Sequence, residues 1–318
     1  MTPDHVQRLL AALTERIGRV VMDSEVNLRY AFVAFLVRGH LLLEGVPGTG
    51  KTMLARCLAR CLGLELRRVQ CTPDLMPGDV VGANVFDFKT QSFALTKGPV
   101  FTEFLLADEI NRTPPKTQSA LLEAMQERSV TIDGVTHALS PRFLVVATQN
   151  PVEHEGTYPL PEAQLDRFLF KLVVGYPRED QEVAAVLAHA NASGMPDLDA
   201  LGLEPLLEGP HVDALREVPK HVRLEPRVAH YAVQLARATR QHPSLAVGLS
   251  PRAATMLAAA ARANAACEGR DFALPDDVKN LFVAAARHRV VVTPAAEMED
   301  VRIDDVLAQL AHQVPAPR

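Results

Sequence analysis

The chain has 318 residues, 48% of them hydrophobic and 22% charged, an ordinary balance for a folded globular protein with room for one large or two medium cores. A formal net charge of -5 supplies no global pull toward nucleic acid, and the four cysteines (Cys57, Cys61, Cys71, Cys267) show no metal-ligand spacing. The longest apolar run, 31–37, stops at Arg38 and His40, too short to span a bilayer, and the N-terminus lacks a basic region followed by an apolar stretch, so a soluble, cytoplasmic chain is expected.

Residues 3–38 carry two helical patterns that break near Asp23-Ser24. In the first, Val6, Leu9, Leu10, Leu13 and Ile17 recur at helical spacing; the second runs through Leu28, Phe32, Phe35 and Leu36, and both read as amphipathic. Leu41-Leu42-Leu43 reads as a buried strand. Directly after it comes Gly45-Val46-Pro47-Gly48-Thr49-Gly50-Lys51-Thr52, then a helix to about residue 62 that Gly63 ends. Glycines at the first and sixth positions let the backbone curl so that its N–H groups face phosphate oxygens. Lys51 adds a mobile positive charge and Thr52 a hydroxyl for Mg²⁺. A strand before and a helix after distinguish this stretch from a chance match: it is a phosphate-binding loop. Cys57 and Cys61, four apart on the helix that follows, read as small buried hydrophobes rather than a redox pair.

Residues 64–71 alternate well enough for a second strand. The stretch 72–102 is punctuated by Pro73, Pro77, Gly78, Gly82 and Gly98, and its runs 84–88 and 91–95 flank Lys89-Thr90, which predicts a hairpin inserted about a two-residue turn. Residues 101–110 form the next strand and end in Asp108-Glu109, at the C-terminal strand end where ligands bind in open α/β sheets. A helix follows over 114–127, then Asp133-Gly134 as the strongest short hairpin signal, then a strand over 143–148 running into Gln149-Asn150-Pro151. A polar stretch, 152–161, leads to Leu165-Asp166-Arg167-Phe168 and a last strand over 169–174. From Pro177 the pattern turns helical, at about 178–191, 212–218, 226–240, 251–267, 275–288 and 300–313. Ser250-Pro251 marks one helix start, and 192–210 reads as a loop. An α/β domain over 1–176 followed by an all-helical domain over 177–318 is therefore expected.

The order of these features resembles the AAA+ ATPases over almost the whole chain. Within that superfamily, Gln70-Cys71-Thr72-Pro73-Asp74-Leu75-Met76-Pro77-Gly78-Asp79, Gly98-Pro99-Val100-Phe101, Asp108-Glu109-Ile110-Asn111-Arg112, Ala147-Thr148-Gln149-Asn150-Pro151 and the run 155–168 are similar to the MoxR family. The resemblance implies a parallel five-stranded sheet sandwiched by helices, with β-hairpin insertions and an all-α lid. It implies ATP and Mg²⁺ as ligands, the nucleotide contacted by Gly45, Pro47, Gly48, Thr49, Gly50, Lys51 and Thr52. Thr52 would bind the metal directly and Asp108 through its water shell, while Glu109 would polarise the attacking water and Asn150, similar to sensor 1, would orient it. Arg167 is similar to the arginine finger that one ring subunit supplies to the next, and Arg252 to sensor 2, acting on its own subunit's ATP or a neighbour's. Val20 and Val21 would lie near the adenine by analogy, or simply pack in the core.

The leading functional expectation is a Mg²⁺-dependent ATPase that works as an oligomeric ring, of six subunits by resemblance, and remodels a protein client with chaperone-like action. A von Willebrand factor A-domain protein is the partner class the family suggests; neither nucleic acid nor a membrane span is expected. Two alternatives stand beside it: the ATPase motor of a metal-chelatase-type complex, and a nucleotide-gated scaffold with little turnover. The complete set of Lys51, Asp108, Glu109, Asn150 and Arg167 argues against the scaffold.

Overall fold

The first two helices set the stage for the sheet. In the computed structural model, which describes residues 1–22, 24–151, 156–189, 198 and 201–317, α1 (Pro3–Gly18) buries Val6, Leu10, Leu13 and Ile17 along one stripe. The helix α2 (Glu25–Leu36) differs from expectation. Leu28 and every residue from 31 to 36 are buried, because the second half of the helix lies between strands on one side and later helices on the other, so no face is left there for water. The expected break between these helices includes Asp23, which lies outside the described residues.

The α/β portion then runs β1 (His40–Glu44), α3 (Lys51–Cys61), β2 (Leu66–Gln70), α4 (Pro77–Val81), β3 (Gly82–Asp87), β4 (Ser92–Lys97) and β5 (Phe104–Asp108). It continues through α5 (Pro115–Glu127), β6 (Ser129–Ile132), β7 (Val135–Ala138), β8 (Leu144–Gln149), α6 (Glu162–Leu165) and β9 (Phe168–Val173). Five strands form one parallel sheet in the order β2-β5-β8-β1-β9. Its inner strands are apolar on both faces: all of β5 is buried, and β1 and β8 are buried up to their last residue. That is the pattern of strands covered by helices on both sides. The edge strand β2 buries only Val69, which leaves Arg68 and Gln70 free to project from its other face.

Two hairpins leave this sheet. In β3–β4 the pairing runs from Gly82↔Lys97 to Asp87↔Ser92, so the turn holds four residues, 88–91, rather than the two expected. Gln91 takes a left-handed φ of 52° and the Asp87 carboxylate accepts from the Lys89 N–H at 2.8 Å, a closure that does not need a favoured dipeptide. Phe86, Phe88 and Phe93 pack edge to face on this hairpin while remaining exposed, Phe88 by 86%. The β6–β7 hairpin closes as expected about Asp133-Gly134, both at positive φ, and Asn84 of the first hairpin donates to the Asp133 carboxylate at 2.8 Å.

After β9 come α7 (Glu179–His189), α8 (Gly209–His221), α9 (Pro226–Gln241), β10 (Leu245–Val247), α10 (Pro251–Cys267), α11 (Pro275–Ala286), β11 (Val291–Val292), α12 (Pro294–Met298) and α13 (Ile303–Gln313). The antiparallel β10–β11 pair was not expected; strands of three and two residues carry no readable periodicity. Ser250 caps α10 as its sequence implies, accepting from the Ala253 N–H at 3.1 Å. Residues 192–197 and 199–200 of the expected 192–210 loop, and the start of the 152–161 stretch, lie outside the described residues.

One apolar cluster takes in α1, α2, α3, one face of the sheet and the helices α8–α11, with Leu169 and Phe170 of β9 among its members and Phe170 edge-on to Tyr30 of α2. A second fills the other face, under α4, α5 and the hairpin bases. The four cysteines are free and buried, and burial pushes the Cys57 and Cys267 thiols up to about 12 and Cys71 to about 11, so at neutral pH they behave as small hydrophobes. Among the described residues no helix is long and apolar enough to cross a membrane.

Candidate active site

The loop between β1 and α3 is shaped by its glycines. Gly48 and Gly50 hold φ of 84° and 81°, a conformation other residues adopt only with strain. A Cβ on Gly45 would sit 2.3 Å from the Val174 carbonyl oxygen, so the chain passes the end of β9 only because that position has no side chain. Nothing stands within 4 Å of a Cβ on Gly48, which leaves the space over the loop open. The helix α3 starts at Lys51 without a side-chain cap, and its unpaired N–H groups and dipole favour an anion there. Lys51 folds over the loop, its Nζ donating to the carbonyls of Gly45 (2.7 Å) and Val46 (2.6 Å), while Thr49 Oγ1 donates to Val46 at 3.0 Å. Burial lowers the Lys51 pKa, opposed by the charges of Asp108 and Glu109.

Parallel strand polarity brings the carboxylates to the same end. Asp108, buried at the end of β5, accepts from Thr52 Oγ1 at 3.1 Å and Thr148 Oγ1 at 3.2 Å through one oxygen, and from Arg68 Nε at 2.6 Å through the other. Glu109 follows at φ 58°, a left-handed position that a non-glycine residue occupies at a cost of order 1–3 kcal/mol. That turn aims its carboxylate back across the strand ends, where it accepts from Gln70 Nε2 and Arg112 Nη1, each at 3.0 Å. Its own N–H donates to Thr148 Oγ1 at 2.9 Å. Asn150, buried past the end of β8, stands beside them, and its carbonyl accepts from Asn111 Nδ2 at 3.3 Å.

Lys51, Thr52, Asp108, Glu109 and Asn150, together with Pro47, Gly48, Thr49 and Gly50, line one cavity of about 330 Å³. An adjoining, more apolar cavity of about 500 Å³ shares Gly48–Lys51 as its floor and adds Val20, Val21, Met22, Leu54 and Val173 to Pro177. The pair is shaped for a polyphosphate with an apolar ring attached to it. The sequence reading missed Arg68, Gln70, Arg112 and Thr148. Arg68 and Gln70 sit two apart on β2 and therefore share a face, but only the pairing of Gln70 with Asp108 in the β2–β5 register brings them to the carboxylates.

Arg167 and Arg252 lie elsewhere. Arg167 precedes β9 and so stands at the N-terminal end of the parallel strands, opposite the loop. It lines a cavity of about 200 Å³ with Arg252, Arg38, Arg128 and His40. Arg252, expected among the nucleotide contacts, lines neither cavity beside the loop of its own chain. The segment around Arg167 is clamped from the turn that follows α11. Arg289, almost wholly buried, donates from Nε to the Asp166 carboxylate (2.7 Å) and from Nη1 and Nη2 to the carbonyls of Leu169 (3.1 Å), Phe168 (2.6 Å) and Asp166 (3.2 Å). His288 Nε2 reaches the Phe168 carbonyl at 2.9 Å. Asp166 is thus engaged by Arg289.

Residues 40–170 match the model of the ATPase family associated with various cellular activities (AAA), and residues 237–310 match the AAA lid domain. Chaperone MoxR1 of Mycobacterium tuberculosis is 39% identical, the match covering 95% of this chain and 81% of that one. Protein MoxR of Methylorubrum extorquens is 32% identical, over 96% and 95% of the two chains, and YeaC of Bacillus subtilis is 43% identical, over 97% and 95%. A crystal structure from Cytophaga hutchinsonii, described as that of a candidate ATPase, superposes with a TM-score of 0.90 at 34% identity, covering 99% of this chain and 97% of the other.

Proposed function

The chain belongs to the MoxR family of AAA+ ATPases, and from that premise we propose that it hydrolyses ATP with Mg²⁺ at the junction of two subunits in a ring and uses the cycle to remodel a protein client. The observation that carries the reading is the division of the site. Lys51, Thr52, Asp108, Glu109 and Asn150 share one cavity, while Arg167 and Arg252 share another at the opposite end of the strands. A single subunit then has the cradle and the water-positioning groups but not the arginines.

Each residue's part follows from its surroundings. The loop N–H groups and the α3 N-terminus receive the β- and γ-phosphates, and Lys51 exchanges its two carbonyl acceptors for phosphate oxygens. The Thr52 hydroxyl and Asp108 carboxylate, 3.1 Å apart and both hard oxygens facing the cavity, fit a Mg²⁺ that keeps part of its water shell. When bound, that ion neutralises charge on the transferring phosphoryl group. Glu109 orients and deprotonates the attacking water, and Asn150 fixes its line of approach. Arg167 and Arg252 of the neighbouring subunit complete the charge stabilisation. Glu109 is held by Gln70 and Arg112, and Asp108 by Arg68, so these three side chains set where the two carboxylates stand at the mouth of the cavity.

We place the boundary between nucleotide-binding core (1–176) and lid (177–318) at the end of β9, and the exposed aromatic tip of the β3–β4 hairpin at the client. The action on the client is chaperone-like, in keeping with the name of the mycobacterial relative; a protein complex in maturation as client, a von Willebrand factor A-domain partner, a cytoplasmic setting and no role for nucleic acid complete the reading. Glu109→Gln tests it. Binding of a fluorescent ATP analogue should survive while turnover falls by roughly 10²–10⁴-fold. Comparable steady-state rates in the two proteins would remove Glu109 from the mechanism.

A further inference from the structure

A second cationic pocket lies beside the Arg167–Arg252 cavity and is not used by the chemistry above. It occupies about 200 Å³ between the end of α2, α8 and α10, and it shares Val37, Arg38 and Ala259 with its neighbour. Four cations line it: Arg38, Arg216, Lys220 and Arg262. Arg216 is the anomaly. The residue is only 2% exposed, one nitrogen donates to the Pro141 carbonyl at 3.2 Å, and Nε and Nη2 are buried with no acceptor. Its guanidinium rests over the Phe35 ring at 5.2 Å, a contact with the face of the group that satisfies none of its N–H donors.

Leaving a buried guanidinium short of acceptors is costly, and the surroundings make it worse. Burial lowers its pKa to about 9, with the charges of Arg38, Arg128 and Arg142 adding to the effect. The one nearby carboxylate of opposite effect, Asp213, gives both oxygens to Arg142, at 2.8 and 2.6 Å. Arg38 and Lys220 both turn to Glu217, an exposed pairing that stabilises little and is easily exchanged. Arg262 donates to the Val222 and Lys220 carbonyls, which covers the negative C-terminal end of α8 and keeps it from opposing an anion.

We propose that this pocket is a binding site for a small phosphate-type oxyanion, held by Arg216 from below and by Arg38 and Lys220 from the rim. A compact tetrahedral ion suits it better than an acidic protein segment, because the cavity is only about 200 Å³ and Arg216 in its lining is 2% exposed. Phosphate also matches the forked donor geometry of two guanidinium groups. The site rests on its own residues and stands apart from the nucleotide reading.

The test uses the full chain carrying Lys51→Ala, so that the loop does not dominate phosphate binding. Calorimetric titration with orthophosphate and pyrophosphate, and separately with ADP, should show saturable binding beyond that of sodium chloride at matched ionic strength. Arg216→Met keeps an unbranched apolar side chain at the position and removes the unsatisfied charge, so it should fold with an unchanged or higher thermal midpoint and lose the binding. Arg38→Ala and Lys220→Ala, at exposed positions, should each weaken it by roughly tenfold. Arg216-dependent heat with the inorganic ions identifies a free phosphate as ligand, and with ADP alone an esterified one; either carries the proposal. Binding that persists undiminished in Arg216→Met, or that chloride reproduces, overturns it.

Discussion

At the scale of single residues, His40 shows how a buried polar group becomes a pH liability. It begins β1 with both ring nitrogens engaged: Nδ1 accepts from the Val145 N–H at 2.9 Å, so Nε2 carries the proton and donates to the Met125 carbonyl at 3.1 Å. Burial pushes its pKa down to about 3, and the neighbouring Arg128 and Arg216 charges push the same way. The folded chain therefore keeps His40 neutral where the unfolded chain, with an ordinary pKa near 6.5, takes up a proton. Its contribution is complete above about pH 6.5 and is lost progressively as pH falls toward 3, at up to about 1.4 kcal/mol per pH unit. The cations facing it do not titrate in that window. Urea unfolding of wild type and His40→Gln between pH 4 and 7.5 should show the wild type losing stability faster on acidification; parallel curves would refute the assignment. A histidine ahead of an apolar run gave no sign of this role in the sequence, because both of its partners come from distant strands and helices. The loop glycines, Lys51, Thr52 and the Asp108-Glu109 pair were legible for the opposite reason: their chemistry is local to a strand end.

At the scale of elements, the segment 166–169 is where lid and core meet. Arg289 saturates the carbonyls on both sides of Arg167, so the position of α11 is transmitted to the backbone that carries that arginine. Replacing the fork with a single ammonium, Arg289→Lys, should leave carbonyl acceptors unpaired and lower the unfolding free energy by about 1–3 kcal/mol. It should also reduce turnover more than it reduces ATP affinity, because the nucleotide cavities lie at the other end of the strands. Denaturant titration and a comparison of kcat with nucleotide Kd check both parts. Equal losses of affinity and turnover would mean that Arg289 merely holds the fold together. Nothing in the sequence signalled this clamp. His288-Arg289 reads as a helix end, and its partners lie about 120 residues away. Long, strongly patterned elements such as α1, α5, α10 and the sheet strands were readable to within a few residues. The five-residue helices α4 and α12 and the β10–β11 pair were not, since each is held by tertiary packing rather than by propensity.

At the scale of the molecule, strand polarity does the sorting. Asp108 ends its strand, Glu109 and Asn150 follow theirs and the phosphate loop follows β1, so all stand at the C-terminal end of the sheet. Arg167 precedes β9 and stands at the N-terminal end. On the proposed function one chain presents two different half-sites on opposite sides, and a contact between unlike surfaces closes only when copies are arranged head to tail, as in a ring. The prediction is complementation between two inactive proteins. Arg167→Ala alone should lose roughly 10³–10⁵ in turnover through the missing finger, and Asp108→Asn alone should be similarly poor through its metal-binding half. Mixed in equal amounts and allowed to exchange, about a quarter of the interfaces should unite an intact Asp108 with an intact Arg167 from the neighbour. Phosphate release should then recover to a fraction of the wild-type rate, with a maximum near equal mixing. Absence of recovery at every ratio, with co-assembly verified by light scattering, would require Arg167 to act within its own chain or not at all, and the opposed placement of the two cavities would need another explanation.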